Sequence, residues 1–152
     1  MPTYVCVVKA GLLNNQQKQR IASAITRLHS ETTGAPTWLV QVVIDESEQR
    51  QRYLGGQRAE HQIWIRGDIR AGRTSEQRQR LMLGIVQAIA EISGVEASAI
   101  WVYLCNLASD DMVEYGQVLP LPGKEQAWFE ALPPELQRYL TSIHMQNDKI
   151  AK

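Results

Sequence analysis

One pattern occurs twice in this chain, and the repetition limits the available folds more than any other feature. Thr3 to Val8 reads as a strand, rich in β-branched and aromatic residues. After the connection Ala10-Gly11-Leu12-Leu13, Asn14 makes a good helix N-cap, with Gln17 placed to complete a capping box. The helix runs to about Thr33, with Ile21, Ile25 and Leu28 on one face. Gly34 stops it and Pro36 prevents it from resuming. Trp38 to Ile44 is then a nearly continuous apolar run. It suits a central strand, or a strand covered on one face and packed in an interface on the other. The same order returns with the strand Ile63 to Ile69, the cap Thr74 with Gln77, and the apolar face Leu81, Ile85, Ile89 and Ile92. Gly94 is the second stop and Ala99 to Cys105 the fourth strand. The halves superimpose at a shift of 60 without a gap, placing Asn14 on Thr74, Gly34 on Gly94 and Val42 on Val102.

Two βαβ units imply paired parallel strands joined by right-handed crossovers. The expected architecture is an α/β (α+β) fold with a four-stranded sheet and both helices on one face. The other face is left apolar, which calls for a partner. Residues 45–61 are polar around Gly55-Gly56 and read as a long loop or an exposed hairpin. From Asn106 the pattern loosens, with short helices expected from Lys124 to Leu132 and from Pro134 to Ile143. A single domain over 2–145 follows, with repeat units at about 2–44 and 62–105, an extension over 106–145 and a frayed tail over 146–152.

At 152 residues one domain buries about 70% of its unfolded surface. Sixteen basic and sixteen acidic side chains cancel, so no global field draws the chain to nucleic acid or anionic lipid. It carries neither an apolar run of membrane-span length nor a signal-peptide pattern, and a cytoplasmic location is the default. Cys6 and Cys105 both fall in strands and read as small buried hydrophobes rather than a disulfide. The three histidines show no ligand spacing, so no metal or cofactor site is expected.

Two stretches carry chemistry. Pro2 directly precedes the first strand. If Met1 is removed, its secondary amine becomes the N-terminus, a group that starts near ~8 and that its surroundings can shift either way. It can equally be a strand-leading proline that merely lacks an N–H. Arg70-Ala71-Gly72-Arg73-Thr74 places two guanidiniums in the turn between a strand and a helix N-terminus. Orphan N–H groups and the helix dipole favour an anion there, and arginine adds bidentate grip on a carboxylate. Sites of α/β folds collect in such turns. Arg50, Arg52, Arg58, Arg78 and Arg80 read as plain surface. Taken alone, His29 reads as a partly buried structural histidine, Tyr103 as core beside Trp101, and Glu114 as a solvent-facing loop residue.

Together with Pro2 and the duplicated units, several pieces resemble the tautomerase superfamily, and within it the cis-3-chloroacrylic acid dehalogenase branch. They are Ala24-Ile25-Thr26-Arg27-Leu28-His29, Tyr53-Leu54-Gly55-Gly56, Gly72-Arg73, Ile100-Trp101-Val102-Tyr103 and Met112-Val113-Glu114-Tyr115-Gly116. The resemblance covers roughly residues 2 to 132. It implies a tautomerase-like β-α-β fold and a homotrimer. It also implies a catalytic Pro2 at the mature N-terminus, carboxylate-binding His29, Arg70 and Arg73, and a water-activating pair, Tyr103 and Glu114. The implied reaction is cofactor-free addition of water to a cis-3-substituted acrylate or alkynoate, giving malonate semialdehyde, with Pro2 as general acid. The alternatives are a keto–enol tautomerase of 2-keto acids such as phenylpyruvate, with Pro2 as general base, and a non-catalytic trimeric protein that binds small acids.

Overall fold

A computed structural model describes residues 2–49 and 51–150, the side chains of 144–150 excepted. Met1, Arg50 and residues 151–152 therefore lie outside the described residues, while the tail expected to fray from 146 is helical as far as Ile150.

The four strands β1 (Thr3–Val8), β2 (Gln41–Glu46), β5 (Ile63–Arg70) and β6 (Ile100–Leu107) form one sheet in the order β2-β1-β5-β6. Each unit contributes a parallel pair, β1 with β2 and β5 with β6, and the units meet through the antiparallel pair β1–β5. Helices α1 (Asn15–Thr33) and α2 (Ser75–Ser93) cover one face. Asn14 and Thr74 each form a capping box with the glutamine three residues on, and Gly34 and Gly94 end the helices in left-handed conformation at φ 73° and 75°. Alternation along the strands turns Tyr4, Cys6, Val8, Ile63, Ile65 and Ile69 onto Ile21, Ile25, Leu81, Ile85 and Ile89. Each of these isoleucines is essentially fully buried and contributes about 1.5–3 kcal/mol. The helices also cap one another. The Gln17 amide donates to the carbonyl of Ile92 and the Gln77 amide to that of Thr32, each satisfying an orphan carbonyl at the far end of its partner.

The repeat is less regular than the sequence suggests. Helices and the second strands of each unit superimpose at a shift of 60, but the sheet registers pair Thr3 with Gln41 and Trp64 with Trp101. The first strands therefore correspond at 61, and the first unit carries one extra residue between strand and helix. A one-residue slip reverses which side chains face the core. That is why Tyr4 corresponds to Ile65 and Lys9 to Arg70, rather than to Trp64 and Ile69.

Three further expectations change. Thr37–Leu39 and Ala97–Ala99 are 3₁₀ turns, the first closed by the Leu39 N–H on the Pro36 carbonyl, so β2 starts at Gln41 rather than Trp38. β2 is an edge strand, not a central one. The face away from the helices is mixed rather than apolar. Exposed Val43, Trp101 and Tyr103 share it with Thr3, Gln41 and an Arg66–Asp68 ion pair.

The polar segment after β2 is a hairpin, β3 (Tyr53–Leu54) and β4 (Gln57–Arg58), and the repeat extends to a counterpart, β7 (Val113–Glu114) and β8 (Gln117–Val118). The extension contains α3 (Glu125–Glu130) and α4 (Pro134–Ile150), the latter longer than the sequence suggests. Leu39, Met112 and Leu119, with Trp38, Leu107 and Trp128, form a second small core that fixes the β7–β8 hairpin and the extension against the sheet end. Arg52 is not plain surface, since its guanidinium donates to the carbonyls of Gln62 and Val7. Cys6 and Cys105 are free thiols. No helix among the described residues is long and apolar enough to cross a membrane.

Candidate active site

The site lies where β1 begins, β5 ends and the β7–β8 hairpin folds over. Pro2 is fully buried, and its carbonyl accepts from the Gln41 N–H at 3.0 Å, which fixes the start of β1. Arg70 is the last residue of β5 and only 4% exposed. Its guanidinium donates to the Pro120 carbonyl and forms an ion pair with Glu125 in the first turn of α3, while its Nε is buried without a hydrogen-bond partner. Burial raises the Glu125 carboxyl, but the Arg70 bond outweighs it and holds that group below its usual range.

The turn that follows is built for a close approach. The Ala71 N–H bonds to the Leu107 carbonyl at 2.7 Å, and Gly72 adopts φ 111°, where a Cβ would lie 2.9 Å from Pro122. Arg73 stands half-buried between that turn and the Thr74 cap. Its carbonyl accepts from Arg78, and its own Nε is buried and unpartnered. Desolvation first, then the Arg70 charge, lowers its affinity for its proton. Of these two guanidiniums only Arg70 bonds a carboxylate among the described residues, and each keeps a buried Nε–H unpaired. Such an arrangement favours a further anion.

His29 is 2% exposed on α1 and faces the same region. Burial, then the charges of Arg73, the chain's amino terminus and Arg70, hold its pKa down to about 3, so the ring is neutral. The buried Tyr4 hydroxyl lies 2.8 Å from Nδ1. Glu114 sits at the hairpin turn, where Tyr115 and Gly116 take φ 53° and 74°, the paired positive values of a two-residue hairpin. Burial raises the Glu114 carboxyl, opposed in part by the Arg70 charge.

These interactions bring His29, Arg70, Arg73 and Glu114 into one another's field. Tyr103 does not join them within the protomer. It is 50% exposed on the open face, edge-on to Trp64 at 6.0 Å. Thr3 pairs with Asp68 and Asp68 with Cys105, so Tyr103 stands two strands across from β1 and two residues further from the Pro2 end. At ~4.8 Å per strand and ~3.3 Å per residue, that separation is on the order of 10 Å.

Reading the sequence missed Tyr4, Glu125 and the Pro120 carbonyl. Only Tyr4 had a local signal, as the large polar-tipped residue alternating with Cys6 and Val8 on the core side of β1. A cavity of about 260 Å³ occupies the repeat-related position in the first half, lined by Lys9, Arg52, Arg58 and Glu60 among others. Lys9 there corresponds to Arg70 and bonds Glu60, as Arg70 bonds Pro120.

The family described as putative oxalocrotonate tautomerase enzyme matches residues 1–131. The crystal structure of N1, a member of the cis-3-chloroacrylic acid dehalogenase family, superimposes with a TM-score of 0.88 at 35% identity. It covers 92% of this chain and 99% of that one. Native Ps01740 superimposes at 0.70 with 32% identity, covering 74% of this chain and 99% of that chain. A fused 4-OT described as a wild type symmetric trimer shares the fold at 0.71 and 20% identity, over 77% of this chain and 94% of its own. No curated protein sequence matches. Fold, family match and identity agree: the chain belongs to the tautomerase superfamily, on its cis-3-chloroacrylic acid dehalogenase-like branch.

Proposed function

We propose that this protein is a cofactor-independent hydratase or dehalogenase of cis-3-substituted acrylates and alkynoates, with Pro2 as general acid. The observation that carries the reading is the Arg70–Arg73 pair, two neighbouring guanidiniums with buried, unpartnered Nε groups beside a neutral His29. A substrate carboxylate supplies the missing negative charge and draws electron density toward C-1. Glu114, made more basic by burial, takes a proton from water with help from Tyr103 as the oxygen bonds to C-3. Protonated Pro2 delivers a proton to C-2. In a 3-halo acid the resulting halohydrin loses its hydroxyl proton and halide, and the carbon–oxygen bond becomes the carbonyl of malonate semialdehyde. In an alkynoate the enol formed by hydration ketonises to the same aldehyde.

The separation of Tyr103 from the other groups supports a homotrimer assembled through the open sheet face, with Tyr103 of one subunit completing a neighbour's site. A second reading draws on the family's tautomerase description. There a neutral Pro2 moves protons on a 2-keto acid, and Glu114 and Tyr103 have no necessary part.

The test uses mass-verified, Met-free protein with cis-3-chloroacrylate, propiolate and phenylenolpyruvate. Release of halide and malonate semialdehyde, falling about 10²–10⁴-fold in Pro2→Ala, is the expected result. Turnover of phenylenolpyruvate alone selects the tautomerase. Binding without turnover of any of the three selects the small-acid-binding protein.

A further inference from the structure

We propose that Tyr4 is a positioning residue for His29, holding the imidazole in the tautomer that presents an N–H on Nε2 to the substrate carboxylate. This deepens the functional reading above and rests on it for the identity of the ligand. The Tyr4 ring is completely buried, and its hydroxyl lies 2.8 Å from His29 Nδ1. A hydroxyl proton buried there needs an acceptor, and a neutral ring offers one at Nδ1. Burial raises the phenol far above its ordinary range, so the hydroxyl keeps its proton and donates it. With Nδ1 accepting, the imidazole proton resides on Nε2, on the opposite edge of the ring.

Two features show that the fold makes room for this pair without needing it. Tyr4 pairs across the sheet with Gly67, where a Cβ would lie 2.5 Å from Tyr4 Cε1 and 2.8 Å from Leu104 Cδ2. Any larger residue at 67 would push the phenol off its place. In the second half, the positions corresponding to Tyr4 and His29 are Ile65 and Ile89, both wholly buried. The architecture therefore packs an ordinary apolar pair where it has no site. The hydrogen-bonded aromatic pair occurs only on the side that holds Pro2, Arg70 and Arg73.

The experiment combines ¹⁵N NMR of the histidine rings with kinetics of Tyr4→Phe, which keeps the ring and removes only the hydroxyl. In the parent, His29 should show one tautomer, unprotonated and hydrogen-bonded at Nδ1. In Tyr4→Phe the Nδ1 resonance should move to the position of a free acceptor. KM for cis-3-chloroacrylate should rise about 5–10-fold with kcat less affected, the equivalent of one hydrogen bond. In a His29→Ala background, Tyr4→Phe should add nothing, because the hydroxyl acts only through the imidazole. Protonation of Nδ1 in the parent overturns the proposal, and so does an equal Tyr4→Phe effect with and without His29. If the parent turns over no acid, the functional reading fails separately. The NMR result, with acrylate titrated as an inert carboxylate, still decides the role of Tyr4.

Discussion

Lowering the pH from about 6.5 to about 5 should destabilise the folded protein through His29, before carboxylates of ordinary pKa titrate. Desolvation, then Arg73, the amino terminus and Arg70, hold the folded pKa down to about 3, against an ordinary value of 6.5. The unfolded chain thus takes up this proton across a window in which the folded chain refuses it. Stability falls as pH falls through that window, by up to about 1.4 kcal/mol per unit. Allowing for half-protonation of the unfolded chain at the upper end, the loss over the stated interval is about 1.5–2 kcal/mol. The ring is almost wholly buried, so solvent screening does not reduce the figure appreciably. Glu114 has the opposite tendency, because its raised pKa lets the folded state bind a proton first, but that contribution is common to parent and variant. The assay is urea unfolding at both pH values and one fixed protomer concentration, comparing the parent with His29→Gln, whose amide can still accept from Tyr4. The parent should lose about 1.5–2 kcal/mol more than the variant. Equal pH slopes in the two proteins, or a parent that gains stability on acidification relative to the variant, would refute the reasoning.

Three other predictions follow from the same geometry. Glu125→Gln removes the charge from the only carboxylate bonded to Arg70 among the described residues. It should cost about 1.5–3 kcal/mol in urea unfolding and raise KM for a carboxylate substrate. Thr74→Ala opens the capping box beside Arg73 and should cost about 0.5–2 kcal/mol, read from the shift in the urea midpoint. If Tyr103 serves a neighbouring subunit, co-refolding Tyr103→Phe with Glu114→Gln should restore activity that neither parent variant has. A mixture no more active than its components would place Tyr103 and Glu114 in sites of one chain.

Much of the fold was legible because its signals are local. Asn14 with Gln17, Thr74 with Gln77, and the glycines at 34 and 94 define both helices without reference to the rest of the molecule. The 3₁₀ turns were hidden because Trp38 and Leu39 are as apolar as the strand after them, and only the Pro36 carbonyl shows that the chain turns first. The extra residue in the first strand–helix connection was hidden for a different reason. β1 is apolar at nearly every position, so its composition does not reveal which parity faces the helices, although the charges of β5 at Arg66, Asp68 and Arg70 mark its own open side. The site divides the same way. Arg70 and Arg73 lie three residues apart in one turn and announce an anion, whereas Tyr4–His29 and Arg70–Glu125 join residues 25 and 55 positions apart. No single-sequence pattern reports contacts of that range. Tyr103 shows the limit from the other side: its strand and its alternation with Trp101 were readable, but the reading as core fails, because both side chains stand exposed on the open face, and its distance from Pro2 depends on strand order.

The central claim is that a free secondary amine at Pro2 transfers the proton into a pocket prepared by arginines. The most direct measurement compares turnover of cis-3-chloroacrylate by two preparations of confirmed mass, one beginning at Pro2 and one with a residue still attached ahead of it. The account predicts halide release by the first and a loss of about 10²–10⁴-fold in the second, whose proline nitrogen is an amide. Equal turnover by both would contradict it.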